Sequence, residues 1–357
     1  MAADVLCRIR PGHYSQKMTT ENTILHVPAR DVPTPKFLSP LAQAVLNAGG
    51  SAPLPFPAID DKEGWRALVK AMDQALLPMI QSMSPDGGAQ VADRTIGAVR
   101  VFDITPALME ADDRTIVLDL HGGGLIYCGG TLCRIMGIGI ANRLRRRVWS
   151  VDYRMPPDHP YPAALDDGLA VYRALLTERS PREILINGAS AGGNLAAALT
   201  LRIRDSGLPM PAGVYLDTPE IDLTESGDSF HTNLGVDAVL RSLMPVNLLY
   251  ANGHDLAHPY LSPLFADFTQ GFPPTILTTG TRDLYLSNTV RMHRALRAAD
   301  IAAELHVVEA GGHGGFPSGS PEGDQIDKEV RRFIATALSA SVARTRLPGF
   351  RIPPAST

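Results

Sequence analysis

Hydrophobic positions recur along this chain with two different periods. Trp65, Leu68, Val69, Met72, Leu76, Leu77 and Ile80 fall three and four apart, the stripe of an amphipathic helix. Just upstream, Ser39 followed by Pro40 predicts a short helix to residue 46, capped by Ser39 with the proline in its first turn. Residues 1–36 carry little periodicity, and 49–57 read as loop. From about residue 89 the pattern changes. Short β-rich runs at 90–96, 99–104, 115–120, 148–153, 183–188, 213–217, 275–279 and 303–308 read as strands. Helical patterns at 131–147, 163–178, 191–206, 287–299 and 323–340 lie between or after them. Such alternation predicts βαβ units and an α/β fold with a mainly parallel sheet, entered through two or three antiparallel strands.

The alternation breaks once. Between Asp217 and Thr275 lie more than fifty residues with a helical pattern at 238–250 and no strand. This reads as an insertion. With the N-terminal segment it predicts a helical cap from residues 1–85 and 218–272, set on a catalytic core of 86–217 and 273–343. Residues 344–357 read as a loose tail.

Composition narrows the function classes. The 357 residues are 45% hydrophobic and 20% charged, an ordinary globular balance. A net charge of −4 disfavours a nucleic-acid partner. The one basic run, 143–147, reads as the end of the helix at 131–147. Cys7, Cys128 and Cys133 form neither a disulfide framework nor a CxxC zinc pattern. With no signal-like N-terminus, a cytoplasmic location is expected. No apolar run is long enough to predict a membrane span.

Two glycine-rich motifs carry chemistry. Gly188-Ala189-Ser190-Ala191-Gly192 follows a predicted strand and opens a predicted helix. A turn that sharp strains the serine backbone, admits only small neighbours and lifts the hydroxyl above the sheet. His121-Gly122-Gly123-Gly124 ends another strand, where bare backbone can approach a substrate and aim N–H groups at a developing oxyanion. His121 itself reads as a structural residue of that loop. A serine nucleophile needs a base, and the base needs an orienting acid. Of the six histidines after Ser190, His313 alone sits in a glycine-rich loop directly after a strand. His293 and His306 fall in a helix and a strand. His254 and His258 read as loop or surface residues and not as a metal pair. Asp283 follows the strand at 275–279, whereas Asp267, Asp300, Glu304 and Glu309 have surface explanations. The chain order Ser190, Asp283, His313 is that of an α/β-hydrolase.

On these motifs, together with 152–154, 157–164, Asn194 and Asp222-Leu223-Thr224, the chain resembles the hormone-sensitive lipase-type family of α/β-hydrolases over about residues 86–340. The resemblance implies an eight-stranded core under a helical cap and hydrolysis of carboxylic esters without metal or cofactor. It also implies the N–H groups of Gly123, Gly124 and Ala191 as oxyanion donors, and the homodimers common in that family. The chain departs from the family pattern at Ala189, where Asp or Thr is usual, and at Glu220, where an aromatic residue is common. It departs again at Leu284, at Ser287 and at Gly315.

The expected substrate is a small-molecule ester of short to medium acyl length, with Leu125, Tyr127, Phe230, Met244, Leu248 and Phe316 as candidate lining. The same three residues also serve lactones, amides or thioesters. A non-catalytic ligand-binding protein is the remaining alternative, and the presence of His313 argues against it.

Overall fold

The computed structural model describes residues 25, 27–49, 54–110 and 112–343. The first 24 residues, Cys7 among them, and the expected tail at 344–357 lie outside them. By its internal contacts, Thr34–Thr357 forms one compact unit and Met1–Pro33 a separate one. All that follows concerns the larger unit.

Two helices come first, α1 (Pro40–Asn47) and α2 (Lys62–Met83). Ser39 caps α1 by accepting from the Ala42 N–H, as its position before Pro40 predicts. The strands are β1 (Gln90–Ile96), β2 (Val99–Thr105), β3 (Ile116–Leu120), β4 (Arg147–Asp152), β5 (Ile184–Ala189), β6 (Gly213–Asp217), β7 (Thr275–Gly280) and β8 (Ala303–Val308). They form one sheet in the order β1-β2-β4-β3-β5-β6-β7-β8. Strand β2 pairs antiparallel with both β1 and β4, and all pairings from β4 to β8 are parallel. The sheet is thus entered through an antiparallel pair, β1 and β2, as expected, and β2 is the strand that runs against the rest.

The connecting helices are α3 (Thr131–Leu144), α4 (Ala163–Glu178), α5 (Ala191–Asp205), α6 (Ser229–Thr232), α7 (Met244–Ala251), α8 (Leu286–Ala298) and α9 (Pro321–Ala343). Parallel strands need covering on both faces. On one face, side chains of α4, α5 and α8 pack with Leu118, Leu120, Ile186, Leu216 and Leu277. On the other, α3 and α9 pack with Val117, Val148, Leu185 and Ile276. Helix α5, which starts at the serine turn, is buried on almost every side and anchors that turn in the centre of the molecule.

Two helix predictions need correction. The helix expected over 131–147 stops at Leu144, where Arg145 turns left-handed. Arg147 instead begins β4, because its guanidinium holds both oxygens of buried Asp103 on β2 at 2.7 and 2.6 Å. Within the insertion, the helix expected over 238–250 is confined to α7, which starts at Met244 with Pro245 in its first turn. Asp237 takes the N–H groups of Val239 and Leu240, turning the preceding segment into a loop.

Candidate active site

Ser190 stands between β5 and α5 with φ 57° and ψ −124°, a backbone conformation that L residues avoid. The turn closes because the positions two residues to either side, 188 and 192, are glycine. A Cβ on Gly188 would lie 2.1 Å from the Gly192 carbonyl oxygen, and one on Gly192 would lie 1.9 Å from that of Leu120. The Ser190 N–H is tied to Asp217 at the end of β6. Its hydroxyl lies 2.8 Å from His313 Nε2.

His313 Nδ1 lies 3.2 Å from Asp283 Oδ1. Asp283 is fully buried at the end of β7, and three donors fix its carboxylate: the Thr279 hydroxyl, the Tyr285 N–H and the imidazole. Because Asp283 is acceptor-only when ionised, the imidazole proton sits on Nδ1 and the Nε2 lone pair faces Ser190. Burial pulls the His313 pKa down. The Asp283 hydrogen bond and charge, with Asp237 and Asp217 further away, together outweigh it and hold the imidazole above its ordinary value. The sequence-predicted Ser190, Asp283 and His313 are thus brought together from three different strand ends.

The glycine loop meets the serine turn side by side. A Cβ on Gly122 would lie 3.4 Å from that of Ser190. Gly123 has φ 125° and leaves no room for a side chain, since a Cβ would lie 2.5 Å from the Tyr127 carbonyl oxygen. Among the described residues, no protein acceptor takes the N–H groups of Gly123, Gly124 or Ala191. They are available to a substrate oxygen. His121 holds the loop from below, with Nδ1 at 2.8 Å from the Gly122 carbonyl and its ring stacked on Tyr153 at 4.1 Å. Burial lowers its pKa to about 4, so it is a neutral imidazole.

Several residues of the site were not legible in the sequence. Asn233 and Asp237, from the insertion, brace the acid loop. The Asn233 amide donates to the carbonyls of Thr281 and Asp283, and Asp237 accepts from the Leu284 N–H. The Tyr285 ring meets the His313 ring edge-on at 5.1 Å. Glu220 is buried beside Tyr285, and burial pushes its carboxyl up to about 7 against the opposing pull of Tyr285, His313 and Asn247. Its departure from the family's aromatic residue was the only sequence signal.

Glu220 has a consequence for stability. Its folded-state pKa lies above the unfolded value, so unfolding releases a proton and stability falls as pH rises from about 4.5 to 7. Glu220→Gln removes that loss. Urea melts are expected to show the variant more stable than wild type by about 3 kcal/mol at pH 8 and equal to it near pH 4.

A cavity of about 370 Å³ adjoins these residues and reaches Gly122, Ala189 and Gly314. Ile80, Met83, Met136 and Phe316 give it apolar walls, and Arg143 with Asp327 lies among its polar lining. Of the six expected lining residues, Phe316 alone reaches this cavity. Leu125 is buried core, Phe230 packs against Leu284 and Tyr285, and Tyr127 packs with Trp65 and Ile126. Met244 is half-buried in the first turn of α7, and Leu248 is 48% exposed. The histidine pair of the insertion has a packing role, with His254 and His258 both against the Tyr161 ring.

An eight-stranded α/β sheet, covered on both faces and carrying a strained serine turn at its centre, defines the α/β-hydrolase fold. Residues 117–317 match the family described as alpha/beta hydrolase fold. An esterase of Acinetobacter venetianus is 32% identical over 235 residues, which cover 64% of this chain and 77% of that protein. Carboxylesterase NlhH of Mycobacterium tuberculosis is 28% identical over 289 residues, covering 75% and 85%. The crystal structure of an esterase superposes with a TM-score of 0.81 at 35% identity, over 88% of this chain and 99% of that one. An esterase from the bacterial hormone-sensitive lipase family superposes with a TM-score of 0.68 at 29% identity, over 80% and 93%. The chain belongs to the α/β-hydrolase family, among its hormone-sensitive lipase-like members, and is a carboxylic ester hydrolase. Among the described residues, no helix is long and apolar enough to cross a membrane.

Proposed function

We propose that the protein hydrolyses small to medium acyl esters by double displacement on Ser190. The observation that carries this reading is the pair of contacts at His313, 2.8 Å to the Ser190 hydroxyl and 3.2 Å to Asp283. His313 takes the serine proton as Ser190 attacks the ester carbonyl. Asp283 holds the imidazole tautomer and stabilises the imidazolium. The N–H groups of Gly123, Gly124 and Ala191 receive the oxyanion, each such donor being worth about 10²–10³ in rate. His313 then protonates the leaving alcohol, and water repeats the cycle on the acyl-enzyme.

The cap reading rests on packing. Trp65 and Leu68 of α2 share one apolar cluster with Val246 and Leu249 of α7 and with Ile126, two residues past the glycine loop. We place this layer over the reacting groups, where it excludes water, and assign the acyl group to the cavity beneath α2 and α3. Hydrolysis of p-nitrophenyl esters from acetate to palmitate tests the size assignment. A maximum at short to medium chains is expected, and a maximum at palmitate contradicts it.

The pH dependence follows from His313. Only its neutral form accepts the serine proton, and its pKa is held above the ordinary 6.5. The acid limb of kcat/KM is therefore expected to bend above pH 6.5 and fall tenfold per unit below that.

A further inference from the structure

A second cluster of chemistry-bearing side chains lies under the glycine loop, apart from the reacting serine. One ring nitrogen of His121, the Cys133 thiol and a carboxylate oxygen of Asp152 lie within 4.8 Å of one another. The topology brings them together. Parallel pairing of β3 with β4 runs to Leu120 opposite Val151, so the next residues, His121 just past β3 and Asp152 at the last position of β4, lie side by side at the sheet end. Cys133, in the first turn of α3, packs over this sheet end, its sulfur 3.4 Å from the Ser150 hydroxyl.

The histidine is set up as a ligand. Its Nδ1 faces the Gly122 carbonyl, which only accepts, so Nδ1 carries the proton and Nε2 the lone pair. That Nε2 is buried, in a residue 1% exposed, and has no hydrogen-bond partner among the described residues. Imidazoles that bind metals characteristically donate their other N–H to a carbonyl or carboxylate in this way. Asp152 retains lone pairs beyond the bond from the Gly130 N–H, and among the described residues its nearest cation, Arg100, is 3.9 Å away.

We propose that His121, Cys133 and Asp152 form a binding site for a thiophilic divalent cation of the zinc class. The donor set of imidazole, thiolate and carboxylate suits zinc and disfavours magnesium or calcium. One neutral and two anionic ligands cancel the charge of Zn²⁺, which makes the ion tolerable where two of the three side chains are buried. Binding forms the Zn–S bond and breaks the Cys133 S–H bond, and the proton leaves to solvent. Tetrahedral coordination places such donors about 3.3–3.6 Å apart, so the three must draw together by at most about 1.5 Å. The bound ion would clamp the ends of β3 and β4 to the start of α3, directly beneath Gly122–Gly124. The proposal goes beyond the esterase reading and does not depend on it.

The test uses the full chain. Wild type is dialysed against zinc, desalted and analysed for metal, and in parallel titrated with cobalt(II). One zinc per chain, a thiolate-to-cobalt charge-transfer band and a zinc-dependent rise in Tm are expected. Cys133→Ser is expected to lose the band and the retained zinc, and Asp152→Asn to bind at least tenfold more weakly. Cys7→Ser is expected to bind as wild type does. If Cys133→Ser proves unfolded by circular dichroism, protection of wild-type Cys133 from alkylation by zinc takes its place. Failure of wild type to retain zinc, retention undiminished in Cys133→Ser, loss in Cys7→Ser, or alkylation of Cys133 at the same rate with and without zinc would overturn the proposal.

Discussion

Asp283→Asn is expected to lower kcat about 10⁴-fold while leaving the protein folded. The carboxylate accepts from the His313 ring, the Thr279 hydroxyl and the Tyr285 N–H. An amide of the same shape still fills the space, but it presents one acceptor and one donor. If its NH₂ faces the ring, His313 must hold its proton on Nε2 and present no lone pair to Ser190. If its oxygen faces the ring, the imidazolium formed during attack has lost its counter-charge. Either way the base fails. The same substitution removes the strongest influences raising the His313 pKa. What activity remains is therefore expected to have its acid limb at lower pH than wild type. A kcat within tenfold of wild type, measured on p-nitrophenyl acetate, would contradict the role given to Asp283.

The second large effect is expected from Ser190→Ala, a loss of about 10⁶ in kcat, leaving only what the oxyanion donors and binding supply. The substitution removes one oxygen and keeps the Cβ at the strained turn, so the Gly188 and Gly192 contacts that close it are unchanged. KM is expected to change little, because the cavity proposed for the acyl group borders the turn at Ala189 and not at Ser190. A variant retaining a tenth of wild-type activity would mean that hydrolysis does not pass through this hydroxyl.

Local periodicity carried most of the fold. The strand at 90–96 and the helix at 163–178 have the same bounds in sequence and structure, because their apolar spacing and their breakers agree. Tertiary partners moved other boundaries. Arg147 belongs to β4 because Asp103, far away in sequence, lies on the neighbouring strand. The segment before α7 is a loop because Asp237 bonds both its own turn and the Leu284 N–H beside the candidate acid.

The candidate site was legible where chemistry forces glycine and serine into fixed spacing. Ser190, Asp283 and His313 meet as their motifs and strand ends predict. Its supports were not legible. Asn233, Asp237 and Glu220 are polar residues of an irregular insertion, and only the folded chain shows that they face the acid loop and the imidazole. Likewise, nothing in the spacing of His121, Cys133 and Asp152 marks them as neighbours. Their proximity is a product of strand register.

The central claim is that His313 and Asp283 make Ser190 a nucleophile. The most direct measurement is the mass of the intact protein after exposure to a fluorophosphonate, followed by peptide mapping. One phosphonyl group per chain is predicted, on the peptide containing Ser190, with labelling slowed at least a thousandfold in His313→Ala. No adduct on the folded wild-type protein, or an adduct on a residue other than Ser190, would contradict the account.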